Sequence, residues 1–413
     1  MSPQPLAPFP WKRNLAVLWV VQVLTTLGFS FTFPFFPIFF QELGVAEVER
    51  AAFWSGLSGW AMGIGMGLFS PLWGVMGDRF GRKLNILRAM ALAGVLMVIS
   101  GYAQTPFQLL AMRFFVGAAS GVVPTIMALV AAHTPRERLL FAAGATMSAL
   151  FLGIAVGPVF GGLIFDHFGL RAAFWATGLA LLFSGGLVVV FVREKFVRPA
   201  AGGGDFLPSF VALWRMATSR EFLPLLVILF LVQSATMLAY PAVPGIVEGI
   251  ERGARSATVI GFVFMAAGIA SAVSSVLVGW LVGKLGLRNV LTFSAAAASI
   301  AALGPYFADT LVGFMLAMAG VSLFAGGLGG LVNGLIALRA PPDRQSAAFG
   351  ATQSANSLAI AIGPLLGGSA AVVFGLRSVF LLNVGAFALV LVFAVVLIGS
   401  TRAERGDAHA AVG

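Results

Sequence analysis

Apolar residues run through the chain in long blocks, and polar residues gather in the short breaks between them. A bilayer core about 30 Å thick takes roughly 20 residues of helix. On that template the chain reads as twelve spans, at about 14–41, 53–76, 85–102, 107–132, 139–165, 172–192, 222–247, 257–282, 288–307, 310–338, 346–373 and 377–399. Several exceed the minimum and have room to tilt. The first follows Lys12 and Arg13 but is too long for the apolar core of a cleaved leader and lacks a small-residue cleavage site, so it reads as a retained helix.

Composition narrows the class. The 413 residues are 59% hydrophobic and 10% charged, against about 25% charged in soluble domains. That excludes a water-soluble enzyme and a disordered chain. The absence of Cys removes disulfides and thiolate metal sites, and the three His residues, at 133, 167 and 409, are too scattered for a metal cluster. No metal and no cofactor is expected.

The net charge of +10 has a positional explanation. With the N-terminus in the cytoplasm, nineteen of the 25 Lys and Arg fall in segments on that side, five fall opposite, and Arg113 lies inside a span. Such a bias orients a multi-pass protein and places both termini in the cytoplasm. No nucleic-acid partner is needed to account for it.

The chain also repeats itself. GATMSALFLGIAVGPVFGG at 144–162 matches GATQSANSLAIAIGPLLGG at 350–368, a shift of 206 residues, and the same shift carries FGLR at 168–171 onto 374–377. Spans 1–6 therefore correspond to spans 7–12. An even number of spans per half makes the repeat parallel, with the halves related about the membrane normal. The expected organisation is a six-helix bundle over 1–192, a cytoplasmic linker over 193–221 and a second six-helix bundle over 222–413. Part of the linker, with Phe206, Phe210 and Trp214, reads equally as an amphipathic surface helix and as an irregular tether.

Four motifs carry a family resemblance. GVMGDRFGRK at 74–83, between spans 2 and 3, resembles the signature loop of the major facilitator superfamily at Gly74, Asp78, Arg79, Gly81, Arg82 and Lys83, with Gly77 adding a second small residue. Gly144, Gly153, Gly157, Pro158, Gly161 and Gly162 resemble the span-5 motif of that superfamily's drug:proton antiporters. Arg113, Gly117 and Gly121 resemble their buried-arginine motif in span 4, and Leu27, Gly28, Pro34 and Pro37 a motif in span 1. The resemblance implies an all-α integral membrane protein of twelve helices in two pseudo-twofold-related bundles. It also implies an alternating-access carrier in a bacterial inner membrane. Asp78 would then latch the cytoplasmic ends of the halves, on one side only because the second half has Lys284 and no Asp at the matching loop. Gly157 and Pro158 would lie where the halves meet.

The chemistry inside the membrane is sparse. Arg113 is the one charge well within a span and hence a functional candidate. No carboxylate lies near a span's middle, so a proton carrier has to be peripheral, with Glu42 and Glu248 as candidates and Glu42 placed to reach Arg113. Gln22, Thr25, Phe29, Phe33, Phe151, Gln233, Met237, Tyr240, Asn333 and Asn356 are the candidate lining of a mostly apolar cavity, a lining suited to lipophilic or amphipathic compounds. The expected activity is efflux of such compounds by a monomer that draws on the proton gradient. A lipid-type flippase and a metabolite uptake carrier of the same fold are the alternatives. No nucleophile–base pair supports an enzyme, and no extramembrane domain supports a receptor.

Overall fold

The computed structural model describes residues 11–194, 196, 214–251, 256–340 and 345–410, and among these every regular element is a helix. In the first half, α1 (Trp11–Thr32) runs through a 3-10 turn at Phe33–Phe35 into α2 (Phe36–Glu42). Then follow α3 (Val48–Phe80), α4 (Arg82–Ser100), α5 (Pro106–Ala119), α6 (Val122–His133), α7 (Leu139–Phe168) and α8 (Leu170–Phe191). The second half holds α9 (Leu223–Leu238), α10 (Val243–Ile250), α11 (Ala257–Leu285), α12 (Leu287–Ala301), α13 (Gly304–Phe307), α14 (Leu311–Ala325), α15 (Leu328–Arg339), α16 (Gln345–Phe374) and α17 (Val379–Ala410).

Among the described residues, eleven stretches are long and apolar enough to cross a membrane. The twelfth span is α3, whose many Gly, Ser and Trp residues lower its hydropathy without shortening the helix. Residues 206–213 of the expected linker helix lie outside the described residues, as do Lys195, Arg198, Arg252, Arg255 and Arg344.

The links repeat as the sequence does. Gly81, Gly169, Gly286 and Gly375 all take positive φ, between +79° and +101°, and each ends one helix while opening the next helical turn. A left-handed residue stops a helix in one step, which Gly does without steric cost. Five spans are broken, four of them in corresponding pairs; the fifth, span 9, breaks between Ala301 and Gly304 where span 3 runs as one helix. Spans 1 and 7 break at Pro-rich segments, Pro34–Pro37 and Pro241–Pro244, because Pro removes a helix hydrogen bond. Spans 4 and 10 break at glycines, Gly121 between α5 and α6 and Gly326-Gly327 between α14 and α15.

The core divides by depth. Let the near end be the one where α1 begins. At the far end a single cluster joins both halves, with Phe35, Phe39, Phe40 and Phe174 packed in it alongside Val243, Ile246, Val247, Phe264 and Phe380. At the near end the clusters separate. One holds Leu15, Leu18, Ile86, Met90, Ile126 and Val188 of the first half, and another holds Leu226, Leu229, Leu291, Val332 and Val390 of the second. The halves are thus closed on each other at the far end and packed individually at the near end.

Within the first half, α5 lies against α3 backbone to backbone. A Cβ on Gly117 would fall on the carbonyl of Met62, and one on Gly65 would fall on the carbonyl of Phe114. Gly117→Leu should therefore cost about 2–3 kcal/mol and lower the thermal unfolding midpoint of the detergent-purified protein. Gly144→Leu, whose Cβ would meet open space, should leave it unchanged. Equal midpoints for both variants would contradict this packing.

Candidate functional site

Two seams close the far end, and the repeated motif builds both. In α7, Gly153, Gly157 and Gly161 recur every four residues and so share a face. That face lies on α1 of the same half, where added Cβ atoms would meet Thr26 and Leu27, Ser30, and Phe31. Pro158 and Gly162, one position on, point about 100° further round and face α11 of the other half. A Cβ at Gly162 would lie 2.5 Å from the Ala257 carbonyl oxygen, and one at Gly261 2.5 Å from that of Pro158.

The second copy repeats the division. Gly363 and Gly367 lie on α9, while a Cβ added at Gly368 would lie 2.6 Å from the Ala52 carbonyl oxygen of α3, and Cβ atoms added at Gly56 and Gly59 would meet Pro364. The expectation for Gly157 is therefore corrected. It lies within its own half, and Pro158 and Gly162 are the residues at the seam. The cause is the helical angle between adjacent residues.

Among the described residues, the glycines at the near ends of α3, α7 and α11 make no such approach to the opposite half. Added Cβ atoms at Gly74, Gly144, Gly279 and Gly283 would meet open space. The side chain of Asp78 lies outside the described residues. Around it, Gly77 faces Asn85 of α4, and Gly81 faces a carboxylate the sequence reading did not single out, Glu194. Glu194 accepts from the backbone N–H groups of Arg82 and Lys83, both at 2.9 Å, and so caps the start of α4. Lys83 donates to the carbonyls of Val189 and Val192, and Arg82 to that of Ala128. Arg79 is exposed. These bonds tie the signature loop into its own half.

Arg113, in α5, is 2% exposed. Its guanidinium carbon stands 4.3 Å from the Phe36 ring centre, and Nη2 reaches the Met62 sulfur at 2.7 Å. A ring face attracts a cation and costs less desolvation than a carboxylate pair. Glu42 is exposed at the end of α2, so the expected reach of Glu42 to Arg113 is replaced by the contacts with Phe36 and Met62. The Pro34–Pro37 break turns the Phe36 ring, not the acid, toward Arg113. Glu248 is half-buried near the end of α10.

The candidate cavity residues sort into two groups. Gln22 and Thr25 are buried within the first half, Gln22 donating to Thr26 at 2.9 Å. They stand in helix contacts and are not presented to a cavity. Phe29, Phe33, Phe151, Gln233, Met237, Tyr240, Asn333 and Asn356 are half-buried. Across the halves, Phe33 meets Tyr240 edge-on at 5.3 Å, and Tyr240 lies 4.9 Å from Phe264. This aromatic row joins the two halves at the far-end core, of which Phe264 is a member and against which Tyr240 packs. Met66 and Gln353 meet across the other seam at 3.5 Å. Sequence reasoning missed Met62 and Met66 because isolated Met residues in a span carry no pattern.

The comparisons bear on the whole chain. The family model described as Major Facilitator Superfamily matches residues 18–254 and 225–412. The multidrug resistance protein MdtG of Enterobacter lignolyticus is 29% identical over 406 residues, covering 97% of this chain and 94% of the relative. That of Salmonella typhi is 29% identical over 391 residues, covering 93% and 95%. Among solved structures, the human organic anion transporter MFSD10 (TETRAN) superposes with a TM-score of 0.69 at 19% identity, covering 94% of this chain and 100% of that one. A POT family transporter in complex with 5-aminolevulinic acid superposes with a TM-score of 0.74 at 14% identity, covering 94% and 95%. At those identities the structures are alike in fold.

The seam predicts a second outcome. Gly162→Leu should hold α7 away from α11 and favour opening of the far end. A single cysteine replacing Ala257, which is 1% exposed and faces Gly162 across the seam, should then be alkylated roughly tenfold faster than in the Gly162 parent, a change of about 1.4 kcal/mol. An unchanged rate would contradict the seam.

Proposed function

This chain belongs to the Major Facilitator Superfamily, and from that membership we propose that it exports lipophilic or amphipathic compounds across a bacterial cytoplasmic membrane at the expense of the proton gradient. Both termini lie in the cytoplasm, so the near end is the cytoplasmic one and the structure faces inward. The observation that carries the reading is the set of four broken spans in corresponding pairs, 1 with 7 and 4 with 10. Interrupted spans in matching positions of two repeats mark a carrier's binding site near the midplane. Here they bring Phe29, Phe33, Gln233, Met237, Tyr240 and Asn333 to a space closed at the far end.

The chemistry of that space favours large, weakly polar substrates. Aromatic rings and a thioether give area without directional demand, and the amides of Gln233, Asn333 and Asn356 supply a few hydrogen bonds. A site built for a sugar or an organic acid would carry more polar groups. The 29% identity to proteins named for multidrug resistance supports the same substrate class. In this reading one monomer alternates by rocking residues 1–192 against 222–413. Arg113 holds a buried positive charge near the path, and Glu42 and Glu248 remain the carboxylates from which a proton carrier is to be sought. No cofactor takes part.

Cells expressing the chain should tolerate several lipophilic compounds at concentrations at least about fourfold above cells with an empty vector. Tyr240→Ala should narrow that panel, since a ring in such a site contributes about 1 kcal/mol, or roughly fivefold in binding. Reconstituted vesicles should show proton flux when a compound from the panel is added. Unchanged tolerance across the panel with the protein present in the membrane would overturn efflux. Transport without proton flux would favour the facilitated uptake or flippase alternatives.

A further inference from the structure

The two far-end seams share their glycines but differ at one position. Pro158, Gly162 and Asp166 follow one another at intervals of four along the face of α7 that meets the second half. Asp166 stands at the first turn of α11, across the boundary. Its Oδ1 accepts from the backbone N–H of Ala257 at 2.9 Å. Its Oδ2 accepts from the backbone N–H of Thr258 at 2.9 Å, from the Thr258 hydroxyl at 2.6 Å and from the Ser256 hydroxyl at 3.3 Å. The Ser256 oxygen in turn accepts from the Val259 N–H.

A helix leaves its first N–H groups without internal partners, and these carry the positive end of its dipole. In α11 Asp166 satisfies two of them and Ser256 a third. Hydrogen bonds to an ionised group are shorter and stronger than neutral ones. What is unusual is the source of the cap. It comes from the other half of the protein, so the bonds exist only while the far end is closed.

The other seam has no equivalent. The residue 206 positions beyond Asp166 is Val372, whose side chain has no acceptor to offer. The helix it runs beside, α3, begins at Val48, a turn before the seam residues Ala52 and Phe53. An N–H just before the seam is already used inside the helix, as where Ala51 donates to Glu47 at 2.9 Å. Among the described residues, one seam therefore carries a carboxylate cap donated from the opposite half and the other does not.

From this asymmetry we infer that Asp166 is a positioning residue for alternating access, holding the far end shut by capping α11 from across the boundary. Opening the far end strips α11 of two backbone partners and Asp166 of four donors, all of which must then be met by water. Asp166 thereby sets the balance between the two conformations without touching the transported compound. This deepens the transport reading and rests on it.

The test uses the full chain, in which natural cysteines are absent, so introduced pairs report alone. One pair, at Phe168 and Val312, spans the far end. The other, at Phe80 and Leu285, spans the near end. All four side chains are exposed. Spin-label distances are read in lipid with no compound added, so the result does not depend on which compound is moved.

Asp166→Ala should lengthen the far pair and shorten the near pair, shifting the ratio of the two populations by roughly 5- to 30-fold. Asp166→Glu, which keeps a carboxylate, should return both toward the parent. Thr258→Val, which removes one donor and leaves the helix intact, should shift both in the same direction by a smaller factor. Distributions superimposable on the parent at both ends in Asp166→Ala and Thr258→Val would overturn the inference. So would lengthening at the far end with no response at the near end, because that is local fraying and not a change of conformational balance. Loss of efflux as a function would leave these distances as they are, which keeps the two claims separable.

Discussion

Close backbone contact between helices is the interaction on which this structure depends. In a bilayer two apolar helix faces gain little by leaving lipid for each other, so association rests on packing and on the hydrogen bonds that close approach permits. The chain meets this with glycine where helices touch. Along α7 one glycine face lies on α1 and the adjacent Pro158–Gly162 face lies on α11. The helix can thus stay fixed to its own half while the other face opens and closes. The same arrangement in α16 gives the molecule two such hinged seams about one axis.

Much of this was legible in the chain. The length of the apolar blocks, the charge bias and the 206-residue repeat led to the twelve-helix, two-bundle fold, because each follows from the bilayer's thickness and polarity. The repeat of Gly157, Pro158, Gly161 and Gly162 at 363, 364, 367 and 368 marked the helices that form the seams. Their facing was not legible in the same way. Whether Gly157 or Gly162 meets the second half turns on a rotation of about 100°, and both neighbours of α7 demand small residues. Asp166 could have been found, since it continues the Pro158–Gly162 face by one turn. A carboxylate at a helix end reads first as a solvated one, and only the placement of α11 reveals its partners.

Polar groups followed a similar rule. Arg113 stood out as an intramembrane charge, but its partners are Phe36 and Met62, residue types that give no hint of a bond to a cation. Gln22 and Thr25 looked alike with Gln233 and Asn333 in the sequence. Burial separates them, the first two enclosed along α1, where Gln22 bonds to Thr26 one turn on, and the latter two half-buried beside the broken spans. The two carboxylates that cap helices stand at opposite ends. Glu194 caps α4 within its own half at the near end, and Asp166 caps α11 of the other half at the far end. The contrast matches where the halves are separate and where they are joined.

The central claim is that the space between the halves is reached from the near end and sealed at the far end. Gln353, half-buried on α16 just inside the second seam, reports on it directly. A single cysteine at that position in oriented vesicles can be treated with a membrane-impermeant maleimide from one face at a time. The account predicts labelling from the face that carries the termini and protection from the other. Equal labelling from both faces, or labelling from the opposite face alone, would contradict it.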